Sequence, residues 1–174
     1  MESPEKPIIT CAQPLAVFGA DMFALAEQYL DAFSALKVKE NVTRLRPAYF
    51  LLSHATELAL KSFLVNMGYD HNSIFKLNHN MKRIHVEATN NGLLDVPQLN
   101  LLIDHLADMN DENSLRYPAY QFISVPDAEE CAEVCRTLLG AIGPRIKRAG
   151  FVAMMKLRAR HPGCDFSWVG PPQP

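Results

Sequence analysis

A chain of 174 residues with 48% hydrophobic and 21% charged residues has globular proportions, which excludes a globally disordered polypeptide. At this length folding buries about 70% of the surface exposed by the unfolded chain, so one domain with its own core is expected, without a disulfide or metal staple. The net charge of −2 names no class of partner. No run reaches the roughly 18 uncharged apolar residues of a membrane span, so no membrane association is expected.

The opening Met1-Glu2-Ser3-Pro4-Glu5-Lys6-Pro7 is acidic and broken by proline, with no signal-type apolar run after it, and a cytoplasmic protein is expected. Residues 1–13 read as a flexible N-terminus. Over residues 14–36, Leu15, Phe18, Met22, Leu25, Tyr29, Ala32 and Leu36 recur at spacings of three and four, one face of a long helix with Pro14 in its first turn. After a polar connection, Arg46-Pro47 opens a second helix that Gly68 closes. Its apolar residues Leu51, Leu52, Ala55, Leu58, Ala59, Phe63 and Val65 cover more than half the circumference, which places it in the middle of a bundle.

A shorter helix follows Asn78-His79-Asn80, with Met81, Ile84 and Ala88 on one face and Asn90-Asn91-Gly92 at its end. The next begins at Asp95-Val96-Pro97-Gln98, where Asp and Gln have capping-box spacing, and buries Leu99, Leu102, Ile103, Leu106 and Met109. Periodicity is lost over residues 111–125, an extended, ordered loop containing Arg116-Tyr117-Pro118. Asp127 then precedes a helix with Ala128, Cys131, Cys135, Leu138 and Ile142 on one face, which Pro144 ends or kinks. Residues 145–160 form a basic continuation, and residues 161–174, with four prolines and the single Trp, a flexible tail. The expected fold class is all-α: an up-and-down bundle of four to five helices over residues 14–148, followed by a basic and then Pro-rich tail over 149–174.

Chemistry concentrates in three places. His54, Glu57 and Lys61 form a polar stripe on the otherwise apolar second helix. A Glu four residues before a Lys is an ordinary surface pair worth about 0.2–0.5 kcal/mol, but on a helix this apolar the stripe should meet partners. At the start of the short helix, Lys82 and Arg83 occupy a first turn where helix polarity favours acids, a mismatch that an anion held near His79 and Asn80 would relieve. Arg116 in the long loop can fork onto a phosphate or carboxylate, with Tyr117 anchoring the loop.

Metal and nucleophile chemistry find less support. Cys131, Cys135, His161 and Cys164 match no common zinc module, and the first two already fit a buried stripe, so no metal and no cofactor are expected. The sequence has no phosphate-cradling glycine loop, H-E-x-x-H pair or nucleophile elbow. Charge is strongly polarised: residues 104–133 carry eight acids and one base, residues 134–164 seven bases and no acid. The basic 136–160 segment can therefore pair with the acidic one, within the chain or across a dimer, or serve an acidic partner such as nucleic-acid phosphates.

The stretch PAYFLLSHATELALKSFLVNMGYD, followed by LNHNMKRI, a loop with RYP and a final helix, resembles the HEPN family (higher eukaryotes and prokaryotes nucleotide-binding) over residues 14–143. The resemblance implies a helical bundle, commonly dimeric, in a bacterial stress or defence setting. Glu57 and Lys61 match the polar pair of the family's second helix, His79 the His of its His-Asp-Leu segment, and Arg116 with Tyr117 its loop motif. Asn80 and Met81 depart from that segment. The ribonuclease members' Arg followed after four to six residues by His is absent, and with it the usual proton shuttle and phosphorane partner. The resemblance thus implies a noncatalytic module binding a nucleotide or RNA phosphate as a homodimer through Glu57, Lys61, His79, Arg116 and Tyr117, to which the polar stripe and the start of the short helix add His54, Asn80 and Lys82 as candidate ligand-binding residues. The alternatives are a metal-independent ribonuclease with an atypical His/Arg site and a protein-interaction subunit of a toxin or defence system.

Overall fold

The computed structural model describes residues 6–40, 42–111 and 126–169, except for the side chains at 42, 110 and 111. Among these residues the architecture is all-α with one small sheet: β1 (Ile8–Ala12), α1 (Leu15–Ala35), two short 3-10 turns, α2 (Leu45–Asn66), α3 (His71–Leu77), α4 (Met81–Asn90), α5 (Leu99–Asp111), α6 (Ala128–Arg160) and β2 (Asp165–Val169). No helix among them is long and apolar enough to cross a membrane. Arg116 and Tyr117, and the ordered loop expected around them, lie outside the described residues.

The helix termini follow local chemistry closely. At the end of α2 the Tyr69 N–H donates to the Leu64 carbonyl and the Gly68 N–H to Val65, a Schellman closure that needs Gly68 at φ +103. The end of α4 repeats it, Leu93 donating to Ala88 and Gly92 to Thr89, with Gly92 at φ +84. Asn80 Oδ1 caps α4 by accepting from the Arg83 N–H at 2.9 Å, and Asp127 Oδ1 caps α6 by accepting from Glu129 and Glu130. Asp70 caps α3 through the Ser73 N–H, and the bonds from Ser73 hold its carboxyl below the usual range. The start of α5 comes later than the capping-box spacing suggests, because Gln98 takes a left-handed φ of 64 and the helix begins at Leu99.

Packing places α2 at the centre, in contact with α1, α3, α4 and α6, with Tyr49, Leu52, Leu60 and Leu64 almost fully shielded. The face of α1 expected to be buried is only half-buried, and Leu25 is 42% exposed. The core instead takes Phe23, Ala26, Leu30 and Phe33, one residue around the helix, because α1 packs against α2 and α6 together and both arcs are apolar. The expected faces of α4, α5 and the first half of α6 are buried as read. Tyr49 Oη donates to the Pro126 carbonyl, tying α2 to the start of α6, and burial raises its phenol pKa above the usual range.

Two regions differ from the sequence reading in their local order. Pro144 does not end α6, which runs on to Arg160. A proline in a helix interior costs about 3 kcal/mol. Close packing on α1 supports the helix there: a Cβ on Gly143 would meet Phe23 Cζ at 2.6 Å, and one on Gly150 would meet Ala20 Cβ at 2.4 Å. The chain ends expected to be loose contribute β1 and β2, which pair in parallel with Ile9 opposite Phe166 and Cys11 opposite Trp168. These four form the half-buried face, with Phe166 and Trp168 stacked at 5.9 Å. Alternation at period two is the physical basis of both strands.

Candidate functional site

One turn of α2 separates Glu57 from Lys61, and both are buried: Lys61 Nζ donates to Glu57 Oε1 at 2.7 Å, with side-chain exposures of 10% and 8%. The third member comes from the connection between α3 and α4. Asn78, at φ 52, reverses the chain after α3, and Asn80 caps α4. Between these two turn-forming residues His79 is held with Nδ1 at 3.0 and 3.1 Å from the two Glu57 oxygens. Its side chain is 55% exposed. A carboxylate paired with an ammonium only accepts, so Nδ1 carries the proton toward Glu57 and Nε2 is the ring's remaining polar atom.

Glu57 is therefore satisfied from two sides, which a buried carboxylate requires. The arrangement fixes the tautomer and orientation of a half-exposed imidazole with a cation beside its anchor. Its outward Nε2 accepts a hydrogen bond or a proton in the neutral ring, and donates to a phosphate oxygen when the ring is protonated.

The other sequence candidates are placed differently. His54 packs between aromatic rings, edge-on to Phe50 at 4.4 Å and stacked on Tyr29 at 5.4 Å, rather than in the Glu57 group. Lys82 reaches Asp108 on α5 at 2.9 Å and Asp104 at 3.8 Å. Arg83 donates to the Lys76 carbonyl in the last turn of α3 at 3.2 Å. The cations in the first turn of α4 thus meet acceptors from two neighbouring elements, which offsets their mismatch with the helix polarity. Asp104 and Asp108 had no signal as partners in the sequence, since more than twenty residues separate them from Lys82.

Cys131 and Cys135 lie in the core, and burial pushes both thiols up to about 11, although a bond from Thr56 Oγ1 acts in the opposite direction on Cys135. His161 stands beyond the far end of α6, about 40 Å along the helix from Cys135, so these groups do not converge. No cluster of three or more metal-ligating side chains occurs among the described residues. Comparison with family models, with curated proteins and with solved structures finds no match to this chain.

Proposed function

We propose that the chain is a noncatalytic, HEPN-like helical module that binds the phosphate of a nucleotide or RNA as a homodimer. The observation that supports this reading is the buried Glu57–Lys61 pair anchoring His79, an exposed imidazole presented at the start of α4. Arg116 supplies the second phosphate contact in this proposal. The test is direct binding of a panel of mononucleotides and short RNAs to the wild type, His79→Ala and Arg116→Ala. His79 is half-exposed, and Lys61 still compensates Glu57 when it is removed. Equal affinity in all three proteins would sink the proposal.

The Glu57–His79 geometry also favours a second reading, a metal-independent ribonuclease in which His79 moves a proton and Arg116 neutralises the phosphorane. An oriented imidazole on a carboxylate is the arrangement that acid–base chemistry uses. Cleavage of an RNA pool in the presence of chelator, lost in His79→Ala, supports it. Cleavage that survives that substitution removes it.

A further inference from the structure

Among the described residues, only Arg136 of the basic segment of α6 forms an ion pair with the acidic 104–133 segment before it. Of its seven bases, Arg136 pairs with Glu129 and Glu133 on its own helix and Lys147 with Glu27 on α1 at 2.7 Å. Arg145, Arg148 and Lys156 make no ion pair among the described residues. All three line one groove of about 730 Å³, and among the described residues no carboxylate lines it with them. Their spacing of three and eight residues keeps them on one side of the helix, along about 16 Å of its length.

The opposite wall is made where α1 begins and α2 ends. Ala16 lies there, at the close approach of α1 to Gly150, and so does Asn66, the last residue of α2. Asn66 Nδ2 is shielded from solvent and has no hydrogen-bond partner among the described residues. Buried donors in native proteins are generally paired, so this amide has hydrogen-bonding capacity that a ligand's acceptor can use. The carbonyls of Phe63, Leu64 and Val65 are already taken by Met67, Tyr69 and Gly68, so the negative end of α2 is largely quenched on this side. Val152, 42% exposed, provides apolar surface between the cations.

We infer that this groove is a binding site for a small organic phosphate. Its phosphate sits between Arg145 and Arg148, its uncharged body lies on Val152 and Ala16, and an acceptor on that body takes the Asn66 amide proton. Paired guanidiniums one turn apart suit a phosphate better than a carboxylate-free apolar ligand, and the volume falls within the roughly 300–1,000 Å³ of small-molecule sites. A polynucleotide backbone tracking the outer surface would leave the shielded amide unpaired, which favours a ligand that enters the groove. The site is separate from the Glu57–His79 group and does not depend on it.

Calorimetric titration of the full chain with AMP, octyl phosphate and inorganic phosphate tests the inference. AMP or octyl phosphate should saturate one site, more tightly than inorganic phosphate, and which of them does so separates a ring-bearing from a lipid-like source. Arg145→Gln/Arg148→Gln should weaken that binding by about tenfold or more with an unchanged melting temperature, since neither side chain has an ion-pair partner among the described residues. Asn66→Ala should weaken it as an independent variant, whereas His79→Ala should leave it intact. Absence of saturable binding by both organic phosphates overturns the inference, as does unaltered affinity in the Arg double variant. Binding confined to a single-stranded oligoribonucleotide or to anionic vesicles overturns it as well.

Discussion

Replacing Lys61 by Met removes a charge from a site where its partner cannot follow it into water. Glu57 has a side-chain exposure of 8%, and its second partner, His79, is a half-exposed imidazole rather than a buried ammonium. Breaking a buried ion pair by deleting one member costs about 3–5 kcal/mol, because the remaining charge loses its compensation. For a chain of this size that corresponds to a fall in melting temperature of about 10 °C. Glu57→Gln/Lys61→Met removes both charges and keeps comparable volume, so it should recover most of the loss. Urea unfolding followed by circular dichroism of wild type, Lys61→Met and the double variant gives the three free energies to be compared. A Lys61→Met protein within about 1 kcal/mol of wild type, or a double variant no more stable than that single one, would refute the claim that Lys61 compensates Glu57.

Two glycines of α6 should respond oppositely to the same substitution. Gly140→Ala meets nothing within 4 Å and should stabilise the helix by about 0.5–1 kcal/mol, whereas Gly150→Ala drives a methyl into Ala20 and the Ala16 carbonyl and should cost about 1–3 kcal/mol net. Thermal melts of the two variants check the sign, and a stabilising Gly150→Ala would contradict the helix contact described above. In native protein at about pH 8, Cys131 and Cys135 should be only about one part in a thousand thiolate and react slowly with a disulfide reagent, while the partly exposed Cys11 and Cys164 react first. The same raised thiols set an alkaline limit: their stabilising contribution is complete below their unfolded value of 9.0 and is lost as pH rises toward about 11. Urea midpoints should therefore fall over that interval, and Cys131→Ala/Cys135→Ala should flatten the fall; an identical pH profile in that variant would exclude the thiols as its cause.

The core of α2, α4, α5 and the first half of α6 was readable because each buries a stripe against neighbours that impose a single helical period. The α1 face was misplaced because two apolar arcs lie side by side, and only the tertiary contacts with α2 and α6 decide which becomes the core. The seven residues of α3 are too few to show a period, and its signal was the Asp70 cap acting on Ser73. β1 and β2 carry period-two alternation, but with most of the chain between them no local pattern reveals their pairing. At the candidate site, the spacing of Glu57 and Lys61 and the turn residues around His79 were legible. The turn of His54 toward Tyr29 and Phe50, and of Lys82 toward Asp108, depends on neighbours remote in sequence.

The charge polarity of α6 has two components with different physical origins. Glu129 and Glu130 lie in its first turn and Arg158 and Arg160 in its last, the arrangement that complements the helix dipole, so these ends require no outside partner. That effect decays within about one turn. Arg145 and Arg148 lie more than about three turns from either end, counted from the bounds of the helix, and gain nothing from it. Lys147, from the same turn, is neutralised by Glu27, which shows that α1 can supply a carboxylate at this level. At Arg145 and Arg148 it presents Ala16 instead, alongside an unpaired amide from α2. The near-neutral total charge thus conceals three cations, Arg145, Arg148 and Lys156, that have no ion pair among the described residues and share the groove between the start of α1 and the end of α2.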